Sequence, residues 1–246
     1  MRAILLAAFL LPVLAFAQSP LDHLVAAYPD QLAGHDGDTL VWRDGARMAT
    51  AGPSGVTLAS LLRQNTVQDM FAIPYRQGAA GIPAIDEDPG RIRHKPFFDK
   101  MYGDCRTGAV TPNLVQVTWL PKTWGHKLSF TRVNGAAAAL QAVSDELDTL
   151  PEPVKRALYP SAGTYNCRTV ADTGQTSMHA WGAAIDINTA VSDYWAWQGG
   201  HGGLAPHRDR IAQEIIDIFE RHGFIWGGKW YHYDTMHFEF RPELLN

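Results

Sequence analysis

The sequence predicts an α+β fold. Segments with helical spacing of apolar residues are mixed with strand-like runs, without the regular alternation of a doubly wound sheet. Several strand-like runs are joined by short loops containing Gly or Pro and read as hairpins. No internal repeat is present. At 246 residues and 46% hydrophobic, the chain can bury the core of one large domain, or of a domain with an appendage.

Residues 1–17 carry one basic residue, Arg2, then an apolar run from Ala3 to Leu14, and end in Ala15-Phe16-Ala17. This is the pattern of a signal peptide cleaved before Gln18, and it predicts an exported protein, periplasmic or secreted. The run is shorter than the ~20 residues a membrane span needs, and no later segment is long and apolar enough, so no transmembrane helix is expected.

Leu21, Leu24 and Val25 share a face, predicting a short helix over Pro20 to Tyr28 that the Gly34 to Gly37 stretch breaks. Thr39 to Trp42 and Ala46 to Met48 flank Asp44-Gly45 as a small hairpin, and Leu58 to Leu62 reads as a further short helix. From Tyr75 to Pro96 the chain is rich in Gly, Pro and charge and lacks periodicity, which predicts a loop or linker and a domain boundary near residue 97.

Leu114 to Leu120 and Lys127 to Thr131 read as paired strands. Asn134 is expected to cap a helix through Ala137, Leu140, Val143 and Leu147, stopped by Pro151 and Pro153. Another helix, starting near Pro206, carries Ile211, Ile215, Ile218 and Phe219 and ends at His222-Gly223. Phe224 to Trp226 and Trp230 to Tyr233, around Gly227-Gly228, read as a hairpin. His237 to Arg241 is the last strand, with Phe238 and Phe240 on one face and His237 and Glu239 on the other.

The formal net charge is −4 and there is no basic tract, so no nucleic-acid partner is expected. In an exported chain, Cys105 and Cys167 are most simply one disulfide, the alternative being two buried thiols. The Cys-x2-Cys spacing of structural zinc sites is absent.

The chemistry concentrates in two stretches, residues 177–188 and 234–239. His179 and Asp186 would stand roughly 10 Å apart on a straight helix and more than ~20 Å apart on a single strand. Both can reach one metal ion only if the chain bends between them, and Gly182 is the residue that permits the bend. After it, residues 183–187 read as a buried strand in which the charge of Asp186 needs a partner. His179, Asp186 and His237 form a two-histidine, one-carboxylate set suited to zinc with a fourth position left for water. Asp234, three residues before His237, can sit over that position across a tight turn as a general base.

Each of these residues has a structural alternative: a packed, hydrogen-bonded histidine, or an aspartate capping a turn. His232, close to Asp234, competes as a ligand, whereas His201 and His207 are expected to face solvent. Glu239 either orients His237 from behind or forms a surface salt bridge. Arg168 is either a surface arginine or a group that binds a substrate carboxylate or an oxyanion.

The pattern Ser-x-His-x-x-Gly-x-Ala-x-Asp at residues 177–186, followed by Asp-x-x-His at 234–237 and preceded by Gly-Thr-Tyr-Asn-Cys-Arg at 163–168, resembles the VanY-type D-alanyl-D-alanine carboxypeptidase and L-alanyl-D-glutamate endopeptidase family. These are zinc peptidases of bacterial peptidoglycan. The resemblance covers residues 98–246 and implies the fold shared with the hedgehog signalling domain, a small antiparallel sheet with helices packed on it. It also implies zinc on His179, Asp186 and His237, with Asp234 as the base. Arg168 would lie at the scissile carbonyl or a substrate carboxylate, and Ser177 would help to position a peptidoglycan peptide. Members that cut D-Ala-D-Ala generally carry Glu where this chain has Asp234, and Asp is similar to the L-alanyl-D-glutamate endopeptidases. Residues 18–97 have no counterpart and form an N-terminal extension without an assigned role. Rival readings are a zinc-stabilised cell-wall or protein-binding domain without turnover, and a secreted zinc amidase.

Overall fold

The computed structural model describes residues 19–79, 81–170, 173–199 and 210–245. The expected signal peptide, His201, His207 and the expected helix start at Pro206 lie outside them.

The N-terminal part is a helix on a small sheet. Helix α1 (Pro20–Ala27) starts at a capping box in which Ser19 and Asp22 satisfy each other's backbone N–H, and it buries Leu21 and Leu24. Strands β1 (Leu32–Asp36), β2 (Thr39–Trp42) and β3 (Arg47–Ala49) pair antiparallel in that order. The β2–β3 hairpin is the expected one. Strand β1 corrects the expected break at Gly34 to Gly37: Gly34 lies inside the strand, and only Gly37 and Asp38 separate the paired residues Asp36 and Thr39. Gly37, at φ 52°, supplies the left-handed conformation that so short a connection requires. The short helix α2 (Leu58–Leu61) follows.

Residues 72–79 and 81–94 have no helix or strand. Helix α3 (Lys95–Tyr102), absent from the expected elements, buries Phe97, Phe98, Met101 and Tyr102. It is the wedge between the two parts: Phe97 packs on Trp42 at 5.6 Å between ring centroids, and Phe98 packs on Trp181 at 5.0 Å. One hydrophobic cluster consequently runs from Leu21 and Trp42 through α3 to Phe238 and Phe240.

Strands β4 (Leu114–Trp119) and β5 (His126–Thr131) pair antiparallel as expected, and α4 (Ala136–Leu147) packs across them through Leu140, Val143 and Leu147. Gly135, at φ 74°, takes the N-cap position expected of Asn134, whose side chain makes no cap bond. After the short α5 (Glu152–Lys155) and a 3-10 turn over residues 178–181 come β6 (Ala184–Asp186), α6 (Gln213–Arg221), β7 (Phe224–Trp226) and β8 (His237–Phe240). They form a sheet of order β6-β8-β7 with α6 against it, Phe219 stacked on Phe238 at 3.8 Å.

The expected hairpin between residues 224–226 and 230–233 does not form: β7 pairs with β8, and Trp230 to Tyr233 is irregular. The Trp226 indole folds over Gly228, where a Cβ would meet it at 2.1 Å, and the chain winds into a 3-10 turn at residues 227–229 instead of reversing.

Candidate active site

The site is made by strand register and one sharp bend. Gly182 has φ 68°, and a Cβ there would meet Leu114 Cδ2 at 2.7 Å, so both its conformation and its surroundings require glycine. The bend turns the end of the 178–181 turn, which carries His179, into β6, which carries Asp186. In the β6–β8 ladder Asp186 pairs directly with His237, so the two side chains share one face as cross-strand neighbours.

The three side chains converge. His179 Nε2 lies 3.1 Å and His237 Nδ1 2.9 Å from Asp186 Oδ1, and the two ring nitrogens are 3.2 Å apart. The other ring nitrogens are engaged behind the site: His179 Nδ1 with the Thr164 carbonyl at 2.5 Å, and His237 Nε2 with Glu239 Oε2 at 3.2 Å. When those outer nitrogens carry the protons, three lone pairs face one point from ~3 Å edges. A tetrahedral zinc with ligands at ~2.0–2.1 Å separates its ligand atoms by ~3.3 Å. The donor set therefore fits a divalent cation, and among the described residues these three form the cluster able to hold a metal ion.

Glu239 has no exposed surface, which excludes the surface-salt-bridge alternative. It also accepts from Arg93 Nη2 at 2.6 Å and from Arg241 Nη1 at 3.1 Å, and the two cations hold its carboxyl below the usual carboxylate range despite burial. It orients His237 from behind. His232 does not join the cluster. Its Nδ1 binds Asp88 Oδ2 at 2.7 Å while the ring borders the same cavity.

Asp234 stands across the cavity. The His237 backbone N–H donates to the Asp234 carbonyl at 3.2 Å, the tight turn expected from their spacing. Its Oδ1 is enclosed and has no hydrogen-bond partner among the described residues. Burial, with the nearby charge of Asp186, pushes its pKa up to about 7, against the pull of His237, Arg91 and Arg168. Such a group can take up and return a proton near neutral pH.

The cavity, of about 250 Å³, also takes in Arg168 and Ser177. Arg168 is exposed at its mouth, next to the Cys105–Cys167 disulfide, whose Cα atoms are 5.7 Å apart. Its carbonyl accepts from the Ser177 N–H at 3.2 Å, tying the two motif segments together. The buried Ser177 hydroxyl accepts from the His179 N–H at 3.3 Å and so caps the turn that carries the histidine.

Sequence reasoning missed the contribution of residues 88–93. Arg91, Arg93 and Trp230 line the cavity, and Asp88 holds His232. A signal existed in Arg91-Ile92-Arg93, an apolar residue between two cations, but it lay in a stretch without periodicity.

Residues 171–240 match a family model described as D-alanyl-D-alanine carboxypeptidase. The resemblance read from the motifs thus holds for this segment, which contains His179, Asp186, Asp234 and His237. No curated protein and no solved structure gives a match.

Proposed function

We propose that this protein is an exported zinc peptidase that hydrolyses an amide bond in the stem peptides of bacterial peptidoglycan. The observation that carries the reading is the convergence of His179 Nε2, Asp186 Oδ1 and His237 Nδ1 within 3.2 Å of one another, with Asp186 and His237 lining the same cavity as Asp234. The family match over residues 171–240 supports a peptidoglycan-related peptidase. In this reading residues 98–246 are the zinc peptidase domain and residues 18–97 an N-terminal extension.

When bound at this trio, zinc polarises the scissile carbonyl and acidifies a water toward pKa ~7. The chain supplies the rest. Thr164 and Glu239 fix the histidine tautomers so that both lone pairs point inward. Asp234 accepts the proton of the attacking water and returns it to the leaving amine. Arg168, at the mouth, offers its donors to the tetrahedral oxyanion or to a substrate carboxylate, and Ser177 holds the turn against which the peptide lies. The bond is D-Ala–D-Ala or L-Ala–D-Glu, the two activities that the motifs resemble.

The test is the product mass from a defined disaccharide-pentapeptide, with and without chelator. One amide bond should be cut, chelation should abolish the cleavage and added zinc should restore it. The mass identifies the bond and separates both peptidase activities from an amidase. An intact stem peptide after incubation with zinc-loaded protein would overturn the proposal.

A further inference from the structure

The chain is acidic overall, at −4, yet the cavities leading away from the candidate active site are basic. The largest, of about 530 Å³, is lined by Arg63, Arg93, His94, Lys95 and Arg106 and by no acidic residue among those described. A second, of about 370 Å³, lies between Arg106 and Arg168 over the Cys105–Cys167 bridge. Arg106 and Thr176 border both, Arg168 borders the second and the catalytic cavity, and Arg93 borders the first and the catalytic cavity, so the three adjoin one another and the path through the second passes Arg63, Arg106 and Arg168 in turn. Asp104 is the one acidic residue in the middle cavity, and Lys95 Nζ lies 3.3 Å from its carboxylate. Arg63, Arg106 and Arg168 are exposed, and none of their guanidinium groups is ion-paired with a carboxylate among the described residues. Three exposed guanidinium groups along one trough, not ion-paired among the described residues, on a protein of opposite net charge, form a local field that attracts carboxylates.

We propose that the path through these adjoining cavities is an extended subsite for a polycarboxylate strand. A peptide bearing several free carboxylates lies across Arg168, Arg106 and Arg63, with its scissile bond at the Asp234 end. Arg63 and Arg106 lie outside the segment matched by the family model, so the subsite gives residues 58–106 a role in substrate selection. The inference rests on the preceding reading for the position of the scissile bond. The binding itself requires no turnover.

The experiment measures fluorescence anisotropy of a labelled oligo-glutamate peptide with the chelator-treated full chain. Chelation removes any metal that would itself capture a carboxylate. Reversal of both exposed charges, Arg63→Glu with Arg106→Glu, should weaken binding about tenfold, on the scale of two lost exposed ion pairs and two new repulsions. Added salt should weaken the wild type more than the variant, oligo-glutamine should bind neither, and Arg63→Lys with Arg106→Lys should retain binding. Equal affinity of wild type and reversal variant, tight binding of oligo-glutamine, or loss of binding in the lysine variant would each overturn the subsite. Stem-peptide cleavage without this charge-dependent binding sinks the subsite alone. Charge-dependent binding without cleavage leaves the subsite and removes the peptidase reading.

Discussion

The sheet β6-β8-β7 and the irregular segment 86–94 enclose the same cavity but are held by different forces. The sheet places Asp186 and His237 by hydrogen-bonded register, with apolar packing behind it on α6. The segment places Arg91 and Arg93 by ion pairs and donors to carbonyls: Arg93 with Glu239, Arg91 with Asp88, the Arg241 guanidinium with the Gly90 carbonyl at 2.8 Å, and the Trp230 indole with the Pro89 carbonyl at 2.7 Å. Packing in a core weakens by increments when atoms are removed. A buried charge left without its partner costs several kcal/mol at once. The two walls should therefore fail differently.

The largest effect tests the sheet side, where chemistry and stability are expected to part. Asp234→Asn should lower kcat about 10²- to 10⁴-fold while leaving zinc affinity near wild type, because the proposed base is lost and the three proposed ligands remain. In chelator-treated protein the same substitution should stabilise. A carboxyl raised from 3.8 to about 7 in the folded protein contributes stability below pH 4, and that contribution is lost as pH rises through 7. Urea melts should show wild type and variant equally stable near pH 4, and the variant ahead by at most about 4 kcal/mol above pH 7. A constant difference across that range would mean that Asp234 titrates as an ordinary carboxyl.

Arg93→Met tests the other wall. Arg93 and Glu239 are both buried, and removing one member of such a pair costs about 3–5 kcal/mol, with Arg241 left as a second cation on Glu239. Since Glu239 fixes the ring of His237, zinc affinity should also fall, by about 10- to 100-fold. A metal titration followed by cobalt absorption reads this independently of turnover. A variant that loses stability but keeps its metal affinity would show that Arg93 supports the fold and not the histidine.

The same contrast decides what was legible in the sequence. His179, Asp186, Asp234 and His237 could be read because their geometry is local: a bend at one glycine, a three-residue turn, and the two-residue period of a strand. Helix α1 and the β2–β3 and β4–β5 hairpins were legible for the same reason. Segment 86–94 was not, because its partners lie far along the chain, 146 residues away for Arg93 and Glu239, and ion pairs leave no periodicity. Helix α3 carries its apolar residues at 97, 98, 101 and 102 over barely two turns, directly after a Pro-rich stretch. The pairing of β7 with β8 was hidden because Gly227-Gly228 satisfies the rule for a hairpin turn equally well, and only the Trp226 ring lying over Gly228 decides against it.

The smallest expected effect lies where the two walls touch. Gly90 packs directly on the sheet: a Cβ there would meet Ile225 Cδ1 at 2.4 Å, and its φ is 89°. Gly90→Ala combines a steric cost with a backbone cost of roughly 1–2 kcal/mol that no neighbour can relieve. Ile225→Val removes the Cδ1 and costs about 0.5–1.5 kcal/mol alone, as an ordinary core truncation. In the double variant the steric part should vanish while the backbone part stays, giving a coupling energy of about 0.5–1.5 kcal/mol in the stabilising direction. Thermal melts of the four proteins measure it. Strict additivity would mean that the segment shifts to accommodate the methyl group, and hence that its ion pairs, rather than contact with the sheet, set its position.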